Sequence, residues 1–264
     1  MLDLLRHPRL PWLARIGIVG VLAAFTFTAL AQYRQTSPII EDLLLPDDSL
    51  SETDFVLPDF ESFGDVDTRK EAFFEFLTTY VDAENARVAE TRGRLQPMWE
   101  VLRRDQPLSS IEAAELDKIA IEYSLADTKM SHKDLAHELM RRVDVIPTSL
   151  VLAQAANESA WGMSRFAREG NNIFGQWCFD EGCGLVPARR SRNATHEVRA
   201  FASVDASVRA YFLNLNTHRS YEDMRSLRAS MRLQERPLDS MVLARGLTRY
   251  SERGQAYVHE LQDI

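Results

Sequence analysis

From Glu71 to Arg104, apolar side chains recur at helical spacing: Phe73, Phe74, Leu77, Val81, Ala86 and Val88. The spacing predicts one long amphipathic helix, with Gly93 and Pro97 as the places where it could break. Two shorter helices are expected over Ser110–Tyr123 and Ser131–Val143, each opened by a serine. Behind Pro147, the stretch from Thr148 to Glu158 is apolar or small almost throughout. A helix without a polar face must be buried on all sides. The character changes between Gly175 and Phe201, where Gly182, Gly184, Cys178, Cys183 and Pro187 cluster and His196-Glu-Val-Arg-Ala-Phe alternates with period two. That pattern predicts a small antiparallel hairpin or three-stranded sheet. Helical periodicity returns over Ser203–Leu215 and Arg253–Leu261. The expected fold is α+β and mostly α, with one small sheet inserted among helices.

Ahead of these elements, Arg6, Arg9 and Arg15 precede an uninterrupted apolar run, Ile16 to Ala31, that closes in Ala-Leu-Ala. A positive flank, an apolar middle and a small-x-small end are the parts of a secretory signal. At about 1.5 Å per residue the run spans about 24 Å, short of the roughly 30 Å hydrocarbon core. A cleaved signal and an uncleaved inner-membrane anchor through residues 16–31 both remain open, and either one exports the rest of the chain to the periplasm. Residues 41–75 then hold twelve Asp/Glu against Arg69 and Lys70. Such a segment buries too little apolar surface to offset its ordering entropy, so residues 32–70 are expected to form a flexible acidic spacer. The expected organisation is signal or anchor 1–31, spacer 32–70, helical region 71–144 and catalytic domain 145–264.

Composition adds two exclusions. Among the 264 residues, 45% are hydrophobic and 27% charged, which excludes a disordered or fibrous chain. The net charge of −8 is concentrated in the spacer, and no basic excess points to nucleic acid.

Cys178 and Cys183 are the only cysteines. In an exported chain they are the natural disulfide pair, with free thiols or a metal site as alternatives. The six histidines are scattered without ligand spacing, so neither a metal nor another cofactor is expected. Glu158 is the only charged residue between Asp144 and Arg165. At the C-terminal end of a buried helix, the macrodipole and desolvation both raise a carboxyl pKa. Trp161, three residues on, would add an apolar wall. A carboxylic acid kept protonated near neutral pH suits general acid work on a glycosidic oxygen; a residue snorkelling at the helix end or pairing with Arg165 is the alternative. Farther on, Gly170-Asn-Asn-Ile-Phe-Gly-Gln-Trp places paired amides beside aromatic faces in a tight turn. That combination fits a pyranose ring, apolar on its face and hydrogen-bonding at its rim, and it fits a capped turn around a buried Phe equally well.

The two blocks Ala153-Gln-Ala-Ala-Asn-Glu-Ser-Ala-Trp-Gly-Met-Ser and Asn171-Asn-Ile-Phe-Gly resemble the signature of the peptidoglycan N-acetylglucosaminidases of glycoside hydrolase family 73. Cys178-Phe-Asp-Glu-Gly-Cys-Gly-Leu-Val-Pro, Arg199-Ala-Phe-Ala-Ser and Tyr250-Ser-Glu-Arg-Gly-Gln-Ala-Tyr-Val resemble, more narrowly, the Bax-type exported glucosaminidase-domain proteins, over roughly residues 70–264. The resemblance implies a lysozyme-like helical lobe and a small β-lobe flanking a cleft, with peptidoglycan glycan strands as substrate. It makes Glu158 the general acid. Glu197 is the choice for a second carboxylate and Tyr250 for the cleft tyrosine, while Ser159, Trp161, Asn171, Asn172, Phe174 and Trp177 become the expected substrate contacts. Three routes follow: water activated by Glu197 across about 6.5–9.5 Å, attack by the substrate's own 2-acetamido group, or Glu158 acting alone in a lytic transglycosylase. A non-catalytic wall-binding or scaffolding protein is the remaining class.

Overall fold

Asp65 starts the long helix by accepting a hydrogen bond from the Thr68 N–H (2.9 Å). In the computed structural model, which describes residues 57–188, 190 and 195–264, that helix, α1, runs unbroken over Val66–Leu102. It is the single long helix that the spacing predicts, and neither Gly93 nor Pro97, the places where it could break, interrupts it. An interior proline costs about 3 kcal/mol, through its missing donor and its clash with the carbonyl four residues back. Leu95, Met98 and Leu102 are all buried on the same stretch. Each such side chain gains about 1.5–3 kcal/mol on burial, so together they outweigh the proline.

Helices α2 (Ser110–Glu122), opened by a capping box between Ser109 and Glu112, and α3 (His132–Arg142) follow where expected. Next comes α4 (Thr148–Ser159), which buries Leu150, Val151, Ala153, Gln154, Ala155 and Ala156. Its sequence, uncharged apart from Glu158 in the last turn, is explained by its neighbours, since α1, a short helix α8 (Ser240–Ala244) and the C-terminal α9 (Gln255–Asp263) all pack on it. Phe73, Leu77 and Val81 of α1 are buried in the same core as Val151 and Ala155.

A one-turn helix α5 (Arg165–Gly170) leads to the sheet, whose strands are β1 (Trp177–Cys178), β2 (Gly184–Leu185) and β3 (Glu197–Arg199). Both outer strands pair antiparallel with β3, in the order β1-β3-β2, with Trp177 opposite Val198 and Gly184 opposite Arg199. Gly184 approaches β3 so closely that a Cβ would stand 2.0 Å from the Val198 carbonyl oxygen, so only glycine fits.

Helices α6 (Val204–Thr217) and α7 (Glu222–Leu233) complete the helical body. The sequence pattern did not predict α7, and its buried residues explain why: Arg225 and Arg228 lie inside with Met224 and Met231. Arg228 donates to the carbonyls of Arg141, Arg142, Asp144 and Val145 at 3.0–3.2 Å, and Arg225 to those of Leu215 and His218 at 2.9 Å. These arginines satisfy the orphan acceptors at the ends of α3 and α6. Met224, Leu227 and Met231 do recur at helical spacing on this face, but the arginines buried among them interrupt the apolar run.

Part of the expected spacer is ordered. Phe60 sits in a 3₁₀ turn, Phe60–Ser62, with its ring 5.3 Å from that of Phe73. The flexible-spacer expectation is therefore corrected for residues 57–70; the remainder of the spacer and the signal or anchor, residues 1–56, lie outside the described residues. Among the described residues no helix is long and apolar enough to cross a membrane.

Candidate active site

Helix α4 ends abruptly, and the manner of its ending positions Glu158. The Ser159 hydroxyl donates to the Ala155 carbonyl (2.6 Å) and accepts from the Gly162 N–H (2.8 Å), while Ala160 and Trp161 both adopt left-handed backbone (φ 51° and 59°). Glu158 is left in the last turn with its carboxyl half-buried. Burial pushes that carboxyl above its ordinary range, opposed by the nearby Tyr257 hydroxyl and the charge of Arg253, with Glu260 adding to the upward push. Arg253 is itself ion-paired with Glu260.

The second motif block meets the first at Gly175. This residue has φ +63°, and a Cβ on it would lie 3.2 Å from Glu158 Oε2, so the turn after the paired asparagines brings bare backbone against the carboxyl. Asn171 ends α5 in left-handed backbone (φ 49°) and donates to the Phe201 carbonyl (3.1 Å). Asn172 is buried, and both of its amide hydrogens are committed, to the carbonyls of Gln176 (2.8 Å) and Arg199 (2.7 Å), while its oxygen accepts from the Gln176 N–H (3.0 Å). Phe174 is buried with its ring stacked 3.9 Å from that of Tyr211, and its carbonyl accepts from the Tyr250 hydroxyl (2.9 Å). Ser159, Asn172 and Phe174 were expected to touch substrate, but they are committed to holding the loop and the helix end together. Trp161 is also placed differently from the expected wall beside the acid. Its ring joins Phe73 (5.9 Å) and Phe74 (5.1 Å) of α1, with Lys70 Nζ 4.9 Å from its centroid. Trp177 remains available: it is 57% exposed, and one face of the indole is backed by His196 at 4.2 Å.

The two cysteines form a disulfide, with Cα atoms 6.2 Å apart. Glu197, only 6% exposed, lies against it and accepts from the N–H groups of Gly182 (3.2 Å) and Gly184 (2.8 Å). The carboxylate thus braces the turn from within the sheet. Each of its oxygens accepts from one backbone amide, and the group is enclosed by the sheet. Its side chain has no ion pair with Arg199 among the described residues. Cys178, Cys183 and Glu197 are also close enough together to suggest a metal trio, but the disulfide takes both sulfurs.

Behind Glu158 lies a group that sequence reasoning did not single out. Gln154, one turn earlier on α4 and fully buried, accepts from the Tyr211 hydroxyl (2.5 Å) and donates to the Tyr257 hydroxyl (3.0 Å). The Tyr257 hydroxyl also lies near enough to Glu158 to act on its carboxyl, in the lowering direction. Tyr250 stacks parallel on Tyr257 with centroids 5.6 Å apart. Burial, followed by the neighbouring Glu158 charge, pushes the Tyr257 hydroxyl far upward, so it stays protonated and able to donate. A signal for this group did exist in the sequence: an amide in an otherwise apolar helix must have buried partners.

A family model described as mannosyl-glycoprotein endo-beta-N-acetylglucosaminidase matches residues 133–263. The chain is also 34% identical over 202 residues to Protein bax of Escherichia coli (strain K12), covering 76% of this chain and 70% of that protein. No solved structure matches.

Proposed function

The chain belongs to the glucosaminidase family, of the glycoside hydrolase family 73 type, and on that premise we propose that it cleaves β-1,4 glycosidic bonds next to N-acetylglucosamine in peptidoglycan, with Glu158 as general acid. One observation carries this reading. The single acid of an uncharged helix is half-desolvated, raised in pKa and pressed against the Gly175 turn, so the two halves of the signature meet at its carboxyl. The proton of Glu158 passes to the bridging oxygen as the C1–O bond breaks, and the leaving sugar departs as a neutral alcohol. Charge developing at C1 is met by the substrate's 2-acetamido oxygen, and water then opens that intermediate with Glu158, now a carboxylate, taking its proton. The burial of Glu197 inside the sheet, where water has little access to it, favours this route over a distal base. The same observation favours a second reading, a lytic transglycosylase in which Glu158 serves as acid and then base, and the muramic-acid 6-hydroxyl replaces water.

Mass spectrometry of muropeptides released from purified sacculi separates the two. The hydrolase yields a reducing N-acetylglucosamine end, and the transglycosylase yields 1,6-anhydro-N-acetylmuramic acid. Glu158→Gln should lower either activity by about 10²–10⁴-fold. Retention of more than about a tenth of the rate would sink the assignment and leave a wall-binding or scaffolding role. We further place the protein in the periplasm. Support comes from the arginine-flanked apolar run and from the disulfide, which is at home in an oxidising compartment.

A further inference from the structure

We propose that Trp177 and Phe179, on the outer strand of the small sheet, form a two-ring platform that grips the glycan strand beside the scissile bond, so that the enzyme works on long strands in preference to short ones. The inference rests on the glycan strand being the substrate, and goes beyond that reading by seating a further stretch of the strand on the β-lobe. Trp177 is 57% exposed and Phe179 70%, and adjacent apolar rings left this open to water mark a contact surface. Trp177 is paired with Val198 across β1 and β3. Its ring stacks on that of His196, two residues before Val198, with centroids 4.2 Å and planes 14° apart. Side chains alternate along a strand, so Phe179, two residues on, follows Trp177 on the same face at about 7 Å. Cys178, between them, takes the opposite face, where it is paired with Glu197 and bonded to Cys183. The disulfide and the carboxylate thus hold this backbone from behind, while the two rings stand in front. His196 covers one face of the indole and leaves the other for a ligand.

The surroundings identify the occupant. Gly175 lies against the Glu158 carboxyl, and Trp177 is two residues farther along, so its Cα is within about 7 Å of that of Gly175. A polymer bound across Glu158 continues past the scissile bond in both directions, and its neighbouring sugars reach that far. A pyranose is apolar on its faces, which lie flat on an aromatic ring, and carries hydroxyl and acetamido groups at its rim. Asp180 and Glu181, both exposed in the turn after Phe179, supply carboxylate acceptors for such rim groups. An apolar protein partner would strip water from these carboxylates without replacing it, and an anionic surface would be repelled by them. A ring already held on one side loses little freedom when a sugar stacks on the other, which makes His196 a positioning residue for Trp177. Because the platform stands away from the reacting carbon, its contact is as strong in the bound substrate as in the transition state. It therefore acts on KM and leaves kcat alone.

The test uses the full-length protein on glycan strands stripped of stem peptides and sorted by length, for wild type, Trp177→Ala, Trp177→Phe, Phe179→Ala and His196→Ala. Trp177→Ala should raise KM on long strands by about five- to tenfold, the worth of one aromatic stacking contact, and Phe179→Ala by a similar factor. In both, the change in kcat should stay within about twofold. KM per glycosidic bond should fall with strand length for wild type and flatten in the two alanine variants. Trp177→Phe keeps a ring and should recover most of the loss, while His196→Ala should raise KM by a smaller factor. Wild-type KM on long strands in either alanine variant overturns the two-ring platform. So does a loss confined to strands that still carry peptide, which would make the stem peptide the occupant. A kcat that falls as far as KM rises overturns it too, by placing Trp177 on the reacting sugar, and so does Trp177→Phe no better than Trp177→Ala, by showing that the alanine acts through the fold of the sheet. His196→Ala indistinguishable from wild type overturns the role of His196. The acid is tested apart from the platform, by co-sedimentation of Glu158→Gln protein with peptide-free sacculi. Retention should be weakened by adding Trp177→Ala, and retention that is unaffected overturns the platform while the acid stands. An active Glu158→Gln would instead overturn the acid and leave the platform in place.

Discussion

Glu158 combines a working position with an energetic penalty, and the two can be measured separately. Burial is the largest influence on its carboxyl and raises it, so the folded state holds its proton more tightly than the unfolded chain does. A raised carboxyl contributes its full stability below the unfolded pKa, about 4.3, and loses it as pH rises through the folded value. Glutamine at the same place has no proton to lose. Glu158→Gln should therefore match the wild-type melting temperature near pH 4 and exceed it at pH 8, in thermal scans of the two proteins side by side. Equal melting temperatures at pH 8 would mean that the carboxyl is better solvated than the structure has it. Asn172 behaves in the opposite way. With three hydrogen bonds to backbone in a buried position, Asn172→Ala leaves two carbonyls and one amide unsatisfied and should cost about 3 kcal/mol. It should do so without changing the pH profile of whatever activity remains, because the side chain holds the Gly175 turn and has no amide hydrogen left for a sugar.

At the scale of elements, legibility followed the physical signal each one carries. Helices α2, α3, α4 and α6 were readable because their buried positions are apolar and recur with the helical period. The sheet was readable from Gly, Cys and alternation. Helix α7 was missed although Met224, Leu227 and Met231 carry the helical period, because Arg225 and Arg228, buried beside them as carbonyl caps on two other helices, read as polar surface. Whether α1 would break at Pro97 could not be read, because the local cost of proline is visible in the sequence and the tertiary burial that outweighs it is not. In the site, Glu158 stood out as a lone charge, and the paired asparagines announced a tight turn. Which of those side chains face inward could not be read from a motif, because a motif reports that a residue is needed and is silent on whether it holds sugar or loop. The sheet itself has strands of two or three residues, too short to persist unaided. Its support comes from the Cys178–Cys183 bond and from Glu197 under the same turn. Opening a disulfide of sequence separation 5 should cost at or below the low end of about 2–4 kcal/mol. Reduction should therefore loosen this lobe and spare the helical body. Limited proteolysis should cut first within residues 176–200 after dithiothreitol, with the main thermal transition little changed; loss of the whole transition on reduction would show the lobe and the body to be one cooperative unit.

At the scale of the molecule, the family match begins at residue 133, while the described residues form one compact unit that includes α1 and α2. The packing decides whether those first helices are an accessory or part of the catalytic body. Phe73, Leu77, Val81 and Leu95 of α1 are all fully buried. At about 1.5–3 kcal/mol each they contribute about 6–12 kcal/mol, comparable with the whole 5–15 kcal/mol by which domains are usually stable. Polar ties add direction to the contact. Asn85 grips the backbone of Ile146, accepting at 3.0 Å and donating at 2.9 Å, just ahead of α4, and Arg92 donates to the carbonyls of Met140 and Val143, both at 2.7 Å, at the end of α3. Asp144, buried between them, is held by a two-point bond from Arg232 and by the charges of Arg228 and Arg92. Burial works to raise its carboxyl, but these cations together bring it below the ordinary range. Without α1, the core face of α4 opens to water and Asp144 loses one of its cations, while α4 still carries Glu158 at its far end. A fragment of residues 133–264 should therefore show no cooperative thermal transition by circular dichroism and no release of muropeptides from sacculi, whereas residues 57–264 should show both. Cooperative melting and measurable cleavage by the shorter fragment would make α1 and α2 an appendage, and the core drawn here would have to be divided at α3.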